Sequence, residues 1–214
     1  MRVLSFAVVA LLCSGCVAVQ PPPPPDPKAQ LPALETRITQ LIEQERGELD
    51  PGENPLAVDD ELVKVARDRS TDMAVKNYFA NKSPDGQTSA SMIMSQDAKW
   101  QGLLGENIAA QHYNPAAALD VNALAQSFVD TWMKSPAHKE NLSFKAYNRT
   151  GVGAAANADM IYVTELFASD LGLTAPADAA RTDKKADDKD KRTITELAHP
   201  EESKPPAPSP KPAP

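Results

Sequence analysis

The stretch GVGAAANADMIYVTELFAS, residues 151–169, decides the fold class. It reads as two strands joined by Asn157, Ala158 and Asp159. In the second strand, strict alternation puts Ile161, Val163 and Phe167 on one face and Tyr162, Thr164 and Leu166 on the other. Glu165 falls among the hydrophobes of the first face. Two readings stay open for it: an exposed edge position near the strand end, or a carboxylate pointing into a cleft.

Upstream the periodicity is helical. Leu34, Ile38, Leu41 and Ile42 recur on one helix face that continues to Glu45, and the helix is expected to stop near Gly47, before DPGENP. Asp59 is placed to cap a second helix whose buried face carries Leu62, Val65, Ala66 and Met73. NKSPDG, residues 81–86, is a turn by composition. Between Ser89 and Ala110 the pattern suggests two short helices. Val121, Leu124, Ala125, Phe128 and Trp132 give a further amphipathic helix. Helices first and strands last predict an α+β layered fold.

The two ends of the chain have other compositions. Arg2 precedes the apolar run VLSFAVVALL, which ends at Cys13-Ser14-Gly15-Cys16, the pattern of an export signal. The run is too short for a convincing membrane-spanning helix. Its small-small-Cys ending resembles a bacterial lipoprotein signal over residues 1–16, with Cys16 lipidated and holding the protein to a membrane from the extracytoplasmic side; plain secretion is the alternative. Both cysteines of the chain lie in this signal, so the exported part has no disulfide, no cysteine metal ligand and no thiol nucleophile. Its stability must come from a hydrophobic core.

Residues 17–30 contain five consecutive prolines and read as an extended, flexible linker. Residues 171–214 are rich in Ala, Lys, Asp and Pro and cannot bury enough apolar surface to fold alone, which predicts a disordered tail. Lys184, Lys185, Lys189 and Lys191 could tether such a tail to a cell wall, although a solvated spacer is the simpler reading. A formal charge of -7 argues against nucleic acid as a partner. One domain is left, residues 31–170.

Within that domain, TWMKSPAHKENL, residues 131–142, holds one of the three histidines of the chain. Ser135 lies three residues before His138. A nucleophilic serine needs a base within hydrogen-bond reach and a third group to orient that base. Ser135 followed by Pro136 also fits a serine N-cap with proline at the first helical position. No glycine-rich elbow surrounds the serine, so the cap is the favoured reading. His112, in QHYNP, is expected in a loop. Trp100, Trp132, Tyr78 and Tyr147 read as packing residues.

YFANKSPDG (78–86), GENIA (105–109), WMKSPAHKENL (132–142), GVG (151–153) and YVTELFA (162–168) occur in an order and spacing that resemble the bacterial CAP superfamily, also called SCP-like or the cysteine-rich secretory, antigen 5 and pathogenesis-related-1 group. The motif-bearing core runs from residue 55 to 169. The resemblance implies an extracellular α-β-α sandwich with a surface cleft, and no single activity unites the group. Its cleft usually carries two histidines and two acidic residues. Residue by residue, Glu106 and His138 match two of the four, whereas Asn81 stands where the other histidine is usual and Ser135 where the second glutamate is.

Half of that tetrad is too little for a tight zinc site, which generally takes three or four protein ligands. No metal and no cofactor are therefore expected. Glu106 and Asn107 carry two readings: a partly buried carboxylate bonded to backbone amides or to His138, with Asn107 pinning a loop, or a cleft floor that contacts a polar ligand group. The candidate ligand-cleft residues are thus Glu106, His138, Asn81, Ser135 and Asn107. The favoured function is an envelope-anchored, non-catalytic module that binds a cell-wall, lipid or protein ligand. A hydrolase of peptide or wall substrates, with Glu106 or His138 as general base, is the alternative.

Overall fold

The computed structural model describes residues 26–170. The signal ending at Cys16, the proline run of the linker and the tail 171–214 lie outside the described residues. The elements follow in the order α1 (Pro27–Leu49), β1 (Ala57–Val58), α2 (Asp60–Lys76), α3 (Ser89–Gln96), β2 (Gly102–His112), α4 (Val121–Lys134), α5 (Pro136–Ser143), β3 (Arg149–Asn157) and β4 (Met160–Asp170). The strands form one sheet in the order β1-β3-β4-β2. β3 and β4 make the antiparallel hairpin expected from the quoted stretch, with Ala154 opposite Val163 and the reversal at Ala158 and Asp159. β2 runs antiparallel to β4 on its other side, with Asn107 opposite Glu165.

Alternation on β4 builds the two halves of the core. Ile161, Val163 and Phe167 pack against Leu34, Ile38 and Ile42 of α1 and Phe128 and Trp132 of α4. On the opposite face, Leu166 and Ala168 meet Leu62, Val65 and Ala66 of α2 and Ile93 of α3, while Tyr162 and Met160 meet Met73 and Ala74. Each large side chain buried in this way contributes about 1.5–3 kcal/mol relative to exposure. The result is the expected α-β-α sandwich. No described helix is long and apolar enough to cross a membrane.

Three local expectations are corrected. First, Ser89–Ala110 is not two helices but α3 followed by β2. β2 is buried from Leu104 to Ala109, so both faces are covered and its sequence shows no alternation. Second, Glu165 is not at an exposed edge. It lies on a central strand between β3 and β2 and is fully buried. Thr150 donates to its Oε1 at 3.3 Å, and burial pushes its carboxyl well above the ordinary range. Third, α1 runs past both expected ends. It starts at Pro27 because the Asp26 side chain accepts from the Lys28 amide at 2.9 Å and proline suits the first helical position, and it continues through Gly47 to Leu49.

Candidate functional site

Neighbouring residues of a strand point to opposite faces, and Glu106 and Asn107 do so in the middle of β2. Glu106 turns toward α2 and α3. Its Oε1 accepts from the Ser89 hydroxyl at 2.6 Å and lies 3.5 Å from Nε of Arg69. Arg69 is fully buried. Its Nη1 donates to the Tyr78 hydroxyl at 2.9 Å and its Nη2 to the Ala80 carbonyl at 3.0 Å. Tyr78 in turn donates to Asp72 at 2.5 Å. Burial, then the bond to Asp72, pushes the Tyr78 phenol up to about 12, so it stays a donor across the physiological range. Asn81 follows Ala80, and its buried Oδ1 accepts no hydrogen bond.

Asn107 faces α5. Its Nδ2 donates to the His138 carbonyl at 3.2 Å, and its Oδ1 accepts from Asn141 Nδ2 at 2.9 Å. The same Asn141 nitrogen reaches the Glu106 carbonyl at 3.2 Å. Together with Trp132, whose indole donates to the Ile108 carbonyl at 3.1 Å, these side chains cover the outer backbone edge of β2. The His138 main chain is therefore held next to β2, and the residue is half-buried.

Ser135 occupies the position read for it, the N-cap of α5 with Pro136 next, and it also terminates α4. Its hydroxyl, however, makes no capping bond. A backbone bond from Lys139 to the Ser135 carbonyl at 2.9 Å closes the first turn instead. His112 is the last residue of β2 rather than part of a loop, and its Nδ1 lies 3.0 Å from Asp159 Oδ2. Tyr147 and Trp132 are core residues, Tyr147 stacking on Phe167 at 5.5 Å.

Arg69, Ser89 and Asn141 were not singled out in the sequence. Arg69 left a readable signal: it lies four residues from both Val65 and Met73, a basic side chain on the apolar face of α2. Ser89 and Asn141 left none that separates them from ordinary turn and helix residues. Among the described residues, no three or more His, Cys, Asp or Glu side chains gather as a metal ion would require. Two cavities, about 510 Å³ beside Thr71 and Ala156 and about 380 Å³ beside Glu53 and Lys145, are lined by none of the five candidate residues.

Comparison with known proteins agrees with this fold. The profile of the cysteine-rich secretory protein family, CAP, matches residues 50–167. The protein YkwD of Bacillus subtilis is 32% identical over 121 residues, which are 56% of this chain and 42% of that one, so less than half of that relative is spanned. Among solved structures, an extracellular protein with an SCP domain from Bacillus anthracis superposes with a TM-score of 0.52 at 30% identity, covering 69% of this chain and 44% of that one. An outer surface protein of Borrelia burgdorferi shares the fold, with a TM-score of 0.53 at 22% identity over 64% of this chain and 93% of its own.

Proposed function

From the premise that this chain belongs to the cysteine-rich secretory protein (CAP) family, we propose that it is an extracytoplasmic binding module whose site is formed by Glu106, Asn107, His138, Asn81 and Ser135. The ligand is a component of the cell wall, a lipid or a protein. The lipoprotein-type signal supports attachment to a membrane through Cys16, and the proline run would hold the domain away from it. Similarity to a Bacillus anthracis protein described as extracellular supports the same side of the membrane.

One observation carries the preference for binding over hydrolysis. Oε1 of Glu106 already accepts from Ser89 and faces Arg69. A general base must offer its lone pair to a water or substrate proton; Oε1 is committed to the fold, and the residue as a whole is buried, at 6% exposure.

Purified cell envelopes incubated with the exported chain provide the test. Protein in the sedimented fraction, with an unchanged supernatant by mass spectrometry, is the expected result. Fragments released by the wild type and absent with His138→Ala would overturn it in favour of a hydrolase.

A further inference from the structure

We propose that the open edge of β3 is a docking groove for an extended strand, and that its occupant is TITELA, residues 193–198 of this same chain. The groove is a surface separate from Glu106 and His138, so the proposal does not depend on the binding reading above.

The groove follows from the sheet. β1 pairs with β3 only at Arg149 and Thr150, and no described strand lies beside β3 beyond them. The Thr150 carbonyl accepts from the Asp59 amide at 2.9 Å, and the Ala154 amide donates to Glu35 Oε1 at 2.9 Å. Even-numbered residues of β3 therefore turn N–H and C=O away from β4, and Ala156 is next in that series. Glu35, held by Arg67 at 2.5 Å, closes the edge at Ala154. Among the described residues, no side chain does the same at Ala156. The cavity of about 510 Å³ opens there, its floor Ala154–Asn157 and its walls α1 and α2. A strand added to such an edge gains backbone hydrogen bonds, with alternate side chains against the two walls.

What enters must be bare chain. The β3 edge of a second copy is flanked by its own α1 and α2, and two walled grooves cannot interpenetrate. Before Asp26 stand five prolines, which have no N–H to donate and whose stiffness keeps the residues ahead of them from turning back. After Asp170, the one succession of β-branched residues is Thr193-Ile194-Thr195, followed by Glu196 and Leu197. Residues 171–192 join it to β4, and a random coil of that length spans about 25 Å between its ends. The way back along β4 from Asp170 to Ile161, the partner of Ala156, is about 30 Å. Effective concentration is greatest when those two lengths agree.

The walls match the segment in order as well as in kind. α2 runs along β3, with Arg67 over Gly153 and the Ala74 carbonyl accepting from Asn157 at 2.7 Å. α1 runs against it, with Lys28 at the open end of the groove and Glu35 at Ala154. From Ala154 toward Asn157, one wall thus presents Leu31 and then Lys28, the other Thr71 and then Val75. A strand parallel to β3 turns Ile194 and Glu196 to the first wall and Thr195 and Leu197 to the second. Isoleucine then meets leucine, glutamate meets lysine, threonine meets threonine, and leucine covers Val75, which is otherwise 75% exposed. The reverse direction brings Glu196 toward the Glu35 carboxylate. Ala156 faces the α1 side, so Ile194 lies beside it. The Ala156 amide then donates to the Thr193 carbonyl, and the Thr195 amide donates to the Ala156 carbonyl.

Hydrogen exchange followed by NMR on the exported chain, residues 17–214, reads the Ala156 amide directly. Thr195→Pro removes one of the docking amides and lies outside the described domain, so the fold is not at risk. A docked fraction of about 80% slows exchange about fivefold. The Ala156 amide is therefore expected to exchange about five times faster in Thr195→Pro than in the wild type, with Ala154, bonded to Glu35 in both, unchanged. Equal rates at Ala156 overturn the proposal. Protection that grows with protein concentration and persists in Thr195→Pro overturns it in favour of a second copy. Glu196→Lys sets like charges together and is expected to lower the protection about twofold, and adding Lys28→Glu to it restores the wild-type rate. A double variant no better protected than Glu196→Lys alone overturns the parallel register.

Discussion

Gly153 of β3 lies directly beneath Arg67 of α2, so close that an added Cβ would meet the Arg67 backbone nitrogen well inside the 3.0 Å that real Cβ atoms keep. Gly151 stands in the same relation to Leu62 and Val63 one turn earlier. The GVG of the quoted stretch is thus a packing device: it lets α2 rest on the sheet at backbone distance and brings Arg69 within reach of Glu106. Because the obstacle is backbone, it cannot swing aside. Gly153→Ala is expected to destabilise the domain by about 3 kcal/mol or more, at the upper end of overpacking effects. Urea unfolding followed by circular dichroism measures this, and a loss below about 1 kcal/mol would show that α2 can lift without penalty.

Glu165 gives a pH prediction with a definite sign. Its folded pKa is raised, chiefly by burial, with Glu43 adding to the rise and Thr150 and Arg46 opposing it. A raised carboxyl binds more protons folded than unfolded, so stability falls as pH climbs above the ordinary glutamate range. The contribution is fully present below the unfolded pKa and is lost on the alkaline side. Glu165→Gln keeps the shape and the acceptor for Thr150 but has nothing to ionise. It is expected to melt at a higher temperature than the wild type at pH 9, with little difference at pH 4. Parallel melting curves for the two proteins across that range would refute the assignment.

What could be read in advance divides along physical lines. α1, α2 and α4 bury one stripe, so their periodicity survived in the sequence; β3 and β4 are covered on both faces, but the turn at Asn157, Ala158 and Asp159 and the β-branched and aromatic residues of β4 still marked the hairpin. β2 is covered on both sides and its pattern vanished into a run with Gly105 in it, where an added Cβ would come 2.5 Å from the Tyr147 hydroxyl oxygen. The site divides in the same way. Glu106, Asn107 and His138 sit in recognisable motifs. Their partners Arg69 and Ser89 come from two other helices, and nothing local announces that a guanidinium from one and a hydroxyl from another converge on one carboxylate oxygen.

The edge of β2 supplies a third prediction. The Trp132 indole donates to the Ile108 carbonyl inside the core, where no water competes. Trp132→Phe leaves that carbonyl without its donor as well as removing part of a ring. A loss of about 2–4 kcal/mol is expected, more than the same change costs where the indole nitrogen faces solvent. Chemical denaturation gives the value, and hydrogen exchange along β2 should speed up relative to β3. Unchanged exchange in β2 would mean that α4 protects the strand by packing alone.

Ser135 and Asp59 occupy the same kind of position, an extended residue opening a helix, and differ in one respect. Asp59 accepts from the amides of Glu61 at 2.9 Å and Leu62 at 3.1 Å, and it also accepts from Arg149 at 2.6 Å. The Ser135 hydroxyl caps nothing. Asp59→Ala is therefore expected to cost about 1–2 kcal/mol, and Ser135→Ala less than about 0.5 kcal/mol. Equal losses in the two variants would show that the serine forms its cap in solution. If Ser135→Ala instead leaves stability alone and lowers envelope binding, the hydroxyl that the helix does not use belongs to the ligand.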